Sequence, residues 1–231
     1  MQRAQLTAGL SQLVVAMDGT AGAGKSTASR GVAARLGLRY LDTGAMYRAV
    51  TWAMLLDDVD LGDASAVASR AESVSLESGT DPERPTVTLD GTSVEAEIRF
   101  AETTAAVSQV SAVPSVRAIL RDQQRQIIGA GGIVVEGRDI GTVVAPEAAL
   151  KVYLTADASA RAVRRSAELS GATRRDVKAV ETDLLRRDEY DSTRVTSPLA
   201  AAPDAVMVDS TFLTLDQVIE QIVTLALERC G

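Results

Sequence analysis

Histidine is absent from the 231 residues of this chain. Its absence removes Ser-His-Asp and Cys-His catalysis, together with every histidine-ligated metal centre. There is one cysteine, Cys230, next to the final residue. It has no partner for a disulfide within the chain, and a reducing cytoplasm is the expected setting. Lysine occurs only at 25, 151 and 178, and none of the three lies in the Asn/Thr-Lys-x-Asp motif with which GTPase switches read guanine. Long apolar runs are missing too. Stretches such as IIGAGGIVV at 127–135 fall well short of the ~18 residues that a membrane-spanning helix needs. Positive charge is in deficit: the formal net charge is −7. A nucleic-acid polymer is therefore not expected as a partner, since such binders need a net basic face. The first 17 residues carry Arg3 and an apolar run, as an export signal would. That run leads straight into a glycine loop, so cleavage would remove a strand, and export is not expected. No internal repeat, low-complexity tract or domain linker is visible.

What is present fits a globular α/β chain, with 46% hydrophobic and 24% charged residues. Five short runs read as buried parallel strands: LVVAM (13–17), LRYL (38–41), GIVVE (132–136), LKVYL (150–154) and AVMVD (205–209). Helical patterns alternate with them, which predicts a parallel sheet with helices on both faces. Residues 24–36 and 113–128 read as helices, the second with Pro114 near its start. Asp42 or Thr43 is positioned to cap a helix through GAMYRAVTWAMLL, and Thr214 with Gln217 predicts a capping box for the last helix. Between 57 and 107 the rhythm changes. An Asp63-capped helix and two alternating strands, VSLES (74–78) and TVTLD (86–90), predict a small α+β insertion.

GTAGAGKS, Gly19 to Ser26, sits between a strand and a helix. Gly19, four residues, then Gly24-Lys25-Ser26 is the phosphate-binding P-loop pattern. The residues Gly19, Thr20, Ala21, Gly22, Ala23, Gly24, Lys25, Ser26 and Thr27 are the expected nucleotide cradle. Glycines let consecutive backbone N–H groups turn inward, Lys25 brings charge to the outer phosphates, and the Ser26 hydroxyl ligates Mg²⁺. A motor or transporter ATPase would show a strand ending Asp-Glu and a far longer chain. The candidate strand here ends VVEGRD, which leaves the small kinases.

Three further clusters concern the acceptor. In YLDTGAMYR (40–48), Thr43 lies at a helix N-terminus, with Tyr47 and Arg48 near the same face. In EGRDIGTVV (136–144), Glu136, Arg138 and Asp139 follow a buried strand, at the sheet edge where open α/β sheets bind ligands. Eight arginines then fall between 161 and 194: Arg161, Arg164, Arg165, Arg174, Arg175, Arg186, Arg187 and Arg194. In an acidic chain they form a local positive field suited to a transferring phosphoryl group. Helical salt bridges to Glu168, Asp176, Glu181, Asp183 and Asp188 are the alternative use for them. From these residues alone, a kinase for another small acceptor and a regulatory module that binds ATP without transferring it both stay open.

GTAGAGKST, LDTGAMYR, SQVSAVPSVR, EGRDIGTVV, RRDEYDSTRVTSPL and DAVMVDST, in this order, resemble the long form of the bacterial cytidylate kinases over nearly the whole chain. The resemblance implies a P-loop NTPase fold: a five-stranded parallel sheet flanked by helices, a small α+β acceptor-binding insertion and a helical lid. The implied division is a core of 12–56, 108–156 and 188–231, an acceptor-binding insertion of 57–107, and an arginine-rich lid of 157–187. The implied reaction carries the γ-phosphoryl group of ATP to CMP or dCMP with Mg²⁺, in a monomer. By the same resemblance Thr43, Arg48 and Arg138 hold the acceptor phosphate, while Ser108, Arg117 and Asp139 read cytosine. Arg187 and Asp191 contact the sugar, Arg194 lies near the phosphates, and Arg161 and Arg165 lie in the lid over the transferring group, so that Lys25, Arg138, Arg161, Arg165 and Arg194 are the expected catalytic residues. The chain departs from the family's common pattern in GKST for GKGT, in Thr43 for serine, and in Glu136 for aspartate. Glu136 is the expected water-mediated Mg²⁺ partner of Ser26.

Overall fold

The computed structural model describes residues 2–168 and 176–230; Arg174 and Arg175 lie outside them. In chain order, α1 (Gln2–Gln12) leads to β1 (Val14–Gly19), α2 (Lys25–Leu36), β2 (Arg39–Asp42), α3 (Thr43–Leu56) and α4 (Ala64–Ser73). Then come β3 (Leu76–Ser78), β4 (Val87–Leu89), β5 (Thr92–Ser93), α5 (Ala101–Ser111), α6 (Pro114–Ile128) and β6 (Ile133–Glu136). A π-helical turn (Ile140–Val144), β7 (Leu150–Thr155), α7 (Ala158–Glu168), α8 (Val177–Thr193), β8 (Val206–Asp209) and α9 (Leu215–Glu228) complete it. All five expected strands form within two residues of their expected bounds. They make one sheet in the order β2-β6-β1-β7-β8, every neighbouring pair parallel.

The period of two in the strands sorts the core into two layers. Val15, Met17 and Val134 point into a cluster with α2 and α9. Ala16, Ile133 and Val135 point the other way, into a cluster with α3, α4, α5 and α6. On α9, Val218, Ile219, Ile222, Val223 and Ala226 form the buried stripe, and each Val or Ile buried there contributes roughly 1.5–3 kcal/mol. The caps follow the sequence. Asp42 accepts from the Ala45 N–H at 2.8 Å, Asp63 accepts from Ser65 and Ala66, and Thr214 with Gln217 closes the capping box.

In the insertion, β3, β4 and β5 form a second, antiparallel sheet. Its third strand, not anticipated, follows a two-residue turn in which Asp90 and Gly91 both have positive φ; Asp-Gly favours that hairpin turn. Val87, Leu89, Val94 and Ile98 pack on Ala49 and Ala53 of α3, and Trp52 meets Phe100 edge to face at 5.5 Å. Helix α1 is also new relative to the sequence reading. Its Leu10 and the half-buried Cys230 both rest on the α2–α9 core.

One close approach fixes where the glycine loop begins. Gly19 has φ 143°, and a Cβ there would lie 1.9 Å from the Leu154 carbonyl oxygen of β7. At Gly24, φ is 87° but a Cβ would meet nothing nearer than Thr27 Oγ1 at 4.0 Å. Gly19→Ala is therefore expected to cost about 3 kcal/mol or more through combined overpacking and strain. Gly24→Ala should cost ~1–2 kcal/mol, from the backbone conformation alone. Urea unfolding of the two variants measures the difference, and equal midpoints would contradict it.

Candidate active site

Three strands of the parallel sheet end side by side: β1 at Gly19, β2 at Asp42 and β6 at Glu136, with Asp42 in register with Glu136 and Glu136 with Met17. Their C-terminal edge carries the site. The loop after β1 delivers Lys25 as the first residue of α2. Lys25 is buried, and its Nζ donates to the carbonyls of Gly19 at 2.9 Å and Thr20 at 2.7 Å. Burial, and then the Arg138 charge, push its pKa down to about 7 against the pull of Glu136 and Asp18. A positive group held this way gains most when anionic oxygens approach.

Behind Lys25 lies a buried acidic network. Glu136 accepts from the Tyr40 hydroxyl and adjoins the Ser26 hydroxyl. Burial first and Asp42 second raise its pKa, while Lys25, Tyr40 and Ser26 act in the opposite direction. Tyr40 is itself pushed up, by burial and then by Glu136. Thr43 is buried and donates its one hydroxyl proton to the Glu136 carbonyl at 2.7 Å. Arg48 pairs with Asp42 at 3.2 Å. Asp18, the penultimate residue of β1, spends both carboxylate oxygens on the N–H groups of Ile140 (2.8 Å) and Gly141 (2.7 Å). Those bonds seat the π-helical turn and aim Arg138 and Asp139. Burial leads in raising the pKa of Asp18 to about 6.

Beyond the turn lies a second subsite. Arg117 of α6 and Asp139 meet at 2.5 Å, each with less than a tenth of its side chain exposed. The other terminal nitrogen, Arg117 Nη1, donates to the Ser111 carbonyl at 3.0 Å, one turn of α5 beyond the half-buried Ser108. The Arg117 guanidinium stands over the Tyr47 ring, 5.2 Å from its centroid. A small cavity lined by Pro114, Arg117, Ala118, Asp139, Thr196 and Ser197 opens beside the pair. Thus Arg117 and Asp139, expected to face a base together, are also bonded to each other.

Between the two subsites the positive groups converge. Arg138 donates to Asp191 at 3.1 Å, and Arg194 lies 3.7 Å from the other Asp191 oxygen. Arg187 is half-buried with its Nε fully covered, and its pKa falls to about 10, through desolvation first and then the charge of Arg138, with Arg48 and Arg165 adding to it. Burial, followed by Arg117, lowers Arg194 too. Arg187 Nε, Arg194 Nη2 and Arg117 Nε are buried with no hydrogen-bond acceptor among the described residues. Buried cationic donors left unmatched are costly, and an anion bound among them would repay that cost.

Arg161 stands apart from this group. It is buried and committed to the Ala156 carbonyl (3.0 Å), the Ala21 carbonyl (2.7 Å) and Asp188 (2.6 Å). Three residues of the site were not singled out by sequence. Asp18 was readable as an acid closing an apolar strand before the glycines, and Tyr40 as a hydroxyl in a buried strand; Asp188 counted only as a salt-bridge partner.

A family model described as "Cytidylate kinase" matches residues 15–228. The cytidylate kinase of Streptomyces coelicolor is 56% identical over 219 residues, 94% of each chain. That of Streptomyces avermitilis is 55% identical over 219 residues, again 94% of each. The cytidylate kinase of Rhodococcus opacus is 52% identical over 223 residues, 96% of this chain and 97% of the relative.

Proposed function

The chain belongs to the cytidylate kinase family, and from that premise we propose how its residues divide the work. The enzyme transfers the γ-phosphoryl group of ATP to CMP or dCMP, giving CDP or dCDP and ADP. The donor binds at Gly19–Thr27, with the loop N–H groups and the N-terminus of α2 around its phosphates. Lys25 follows the γ-phosphoryl group across. Arg48 and Arg138 hold the acceptor phosphate, with Thr43 anchored behind them on Glu136. Arg187 and Asp191 reach the sugar, Arg165 and Arg194 add charge near the phosphates, and Ser108, Arg117, Asp139 and Tyr47 enclose the base. The observation that carries this reading is the set of buried, unmatched arginine donors at 187 and 194, the first interacting with Lys25 of the phosphate loop and the second with the Arg117–Asp139 pair.

The chemistry asks for positioning and charge more than for proton transfer. Phosphoryl transfer passes through a loose transition state, with charge spread over the equatorial oxygens. A phosphate monoester has its second pKa near ~6, so the acceptor is already mostly dianionic at neutral pH and needs no dedicated base. Histidine is dispensable for this reason.

For magnesium, the residues present fit. The Ser26 hydroxyl adjoins the buried Glu136 carboxylate, a hard oxygen pair at the start of α2. Among the described residues no cluster of three or more His, Cys, Asp or Glu could hold a metal unaided. That matches an ion carried in on nucleotide phosphates and keeping several waters. Ser26 would ligate it, Glu136 would hold one of its waters, and the ion would supply charge neutralisation at the phosphate oxygens.

The proposed parts are a core of 12–56, 108–156 and 188–231, an acceptor-binding insertion of 57–107, and a lid of 157–187. Two observations support the division: the insertion has its own small core against α3, and α7 and α8 meet the glycine loop through a separate cluster of Ala21, Ala162, Val180 and Leu184. No helix of the described residues is long and apolar enough to cross a membrane; a cytoplasmic monomer is part of the same proposal.

A panel of monophosphates with ATP and magnesium, followed by ADP release, tests the reading. CMP and dCMP should react at least ~10²-fold faster than UMP or AMP, because a site built on hydrogen bonds rejects mismatched partners strongly. Equal rates for CMP and UMP would overturn the base assignment.

A further inference from the structure

Ala21 is the third residue of the glycine loop, and both of its backbone polar groups are taken from outside the loop. Its N–H donates to Asp188 Oδ1 at 2.8 Å, and its carbonyl accepts from Arg161 Nη1 at 2.7 Å. The ring closes between the two side chains, where Arg161 Nη1 meets Asp188 Oδ2 at 2.6 Å. Arg161 is 5% and Asp188 14% exposed. Arg161 is further fixed by the Ala156 carbonyl just after β7. Apolar contacts back the arrangement: Ala21 packs with Ala162 of α7 and with Val180 and Leu184 of α8.

The loop needs such support. Gly19, Gly22 and Gly24 all take positive φ, and glycine loses more conformational freedom on ordering than any other residue. With the Ala21 N–H and carbonyl both held, the peptides on either side of Ala21 are fixed in orientation. The following N–H groups, which must point at phosphate, inherit that orientation. A buried ion pair is an expensive way merely to join two helices, since an apolar pair would serve as well or better. The bonds to Ala21 give this pair a use that an apolar one could not supply.

We propose that Asp188, with Arg161, is a positioning residue of the donor site that sets the phosphate loop for ATP by clamping Ala21. Arg161 then acts through the loop and does not touch the transferring group. This rests on the kinase reading only in taking ATP as the loop's ligand. The placement has a consequence for the second substrate. The same turn of α8 bears Arg187, at the arginine cluster, and Asp191, bonded to Arg138. One helix therefore grips the donor loop and the acceptor side together.

The test is binding of a non-hydrolysable ATP analogue without acceptor, and of CMP alone, by calorimetry, together with thermal unfolding. Asp188→Ala should weaken the ATP analogue about tenfold to a hundredfold, the effect of losing a charge-assisted hydrogen bond. CMP affinity should stay within about threefold, below the roughly tenfold or more that losing a hydrogen bond to a charged group represents. Asp188→Asn, which keeps an acceptor for the Ala21 N–H, should recover part of the loss and serves if the alanine variant does not fold. Glu189→Ala, on the exposed side of α8, should bind both ligands normally. If the Asp188 variants bind the ATP analogue like the parent, or lose analogue and CMP equally, the proposal fails. The analogue arm needs no acceptor, so a wrong acceptor assignment would appear in the monophosphate panel and leave this readout intact.

Discussion

Replacing Lys25 with methionine is expected to lower kcat by on the order of 10²–10³-fold with CMP, dCMP and any weaker acceptor alike, the scale set by removing one preorganised charge from a transition state. The uniformity across acceptors is the diagnostic part. Lys25 sits on the donor loop, bonded to the Gly19 and Thr20 carbonyls, and takes no part in the Arg117–Asp139 pair assigned to the base. A loss confined to CMP would place it on the acceptor side and contradict the assignment. The substitution should not unfold the chain. It removes a buried charge whose pKa is already pushed down by burial and Arg138, and methionine fills a similar volume.

The same group gives a pH signature. In the free protein Lys25 has its pKa lowered to about 7, so above that pH it is increasingly neutral. Phosphate oxygens favour the charged form and raise the pKa on binding. ATP binding at pH 8 should therefore take up a proton, whereas binding well below pH 7 should take up none at this residue. Calorimetry in buffers of different ionisation enthalpy reads this directly. The sign for folding follows the same shift. The folded chain binds fewer protons than the unfolded one between about 7 and 10.5, so this group makes stability rise with pH across that window.

Much of the donor half was legible in the sequence because its signals are local. The glycine spacing, the strand before it and the helix after it lie within 25 consecutive residues, and side-chain period and capping chemistry are written in neighbours. Asp63 and Thr214 are the clearest cases, each finding its N–H partners within three residues. The remainder depends on contacts that no local pattern encodes. Asp18 holds Ile140 and Gly141 across more than 120 positions only because β1 and β6 are parallel neighbours. Asp188 stood in the sequence as one acid among several available to the arginines. Its actual partners, Ala21 and Arg161, are brought to it by the packing of α7 on α8 and of both on the loop. Arg161 shows the same limit: composition marks it as positive charge for a phosphate, while its position commits it to backbone carbonyls and one carboxylate. The Asp90-Gly91 hairpin is a different kind of miss, since its signal was local and β5 is merely too short to register as an apolar run.

Asp139→Asn is the substitution expected to change what the enzyme accepts. On the proposed assignment, the Asp139 carboxylate accepts from the exocyclic amino group of cytosine, while uracil brings an oxygen to the same place and meets lone pair with lone pair. An asparagine side chain can turn its N–H₂ toward that oxygen, so the CMP-to-UMP ratio of kcat/KM should fall by roughly 10²-fold, with the UMP value itself rising. The alternative substitution, Asp139→Ala, is a poorer probe of specificity. It would leave the Arg117 guanidinium, now bonded to Asp139 at 2.5 Å and almost fully buried, without its counter-charge, at a cost of about 3–5 kcal/mol in stability. Asparagine keeps an acceptor for Arg117 and the shape of the pocket against Tyr47, and so separates reading the base from holding the fold. Its KM for ATP should be unchanged, because Lys25 and the Ala21 clamp lie on the other side of the arginine cluster. If Asp139→Asn preserved the full preference for CMP, the amino group would be recognised by another acceptor near the Arg117 pocket, and the pairing of Arg117 with Asp139 would be serving the architecture of α6 alone.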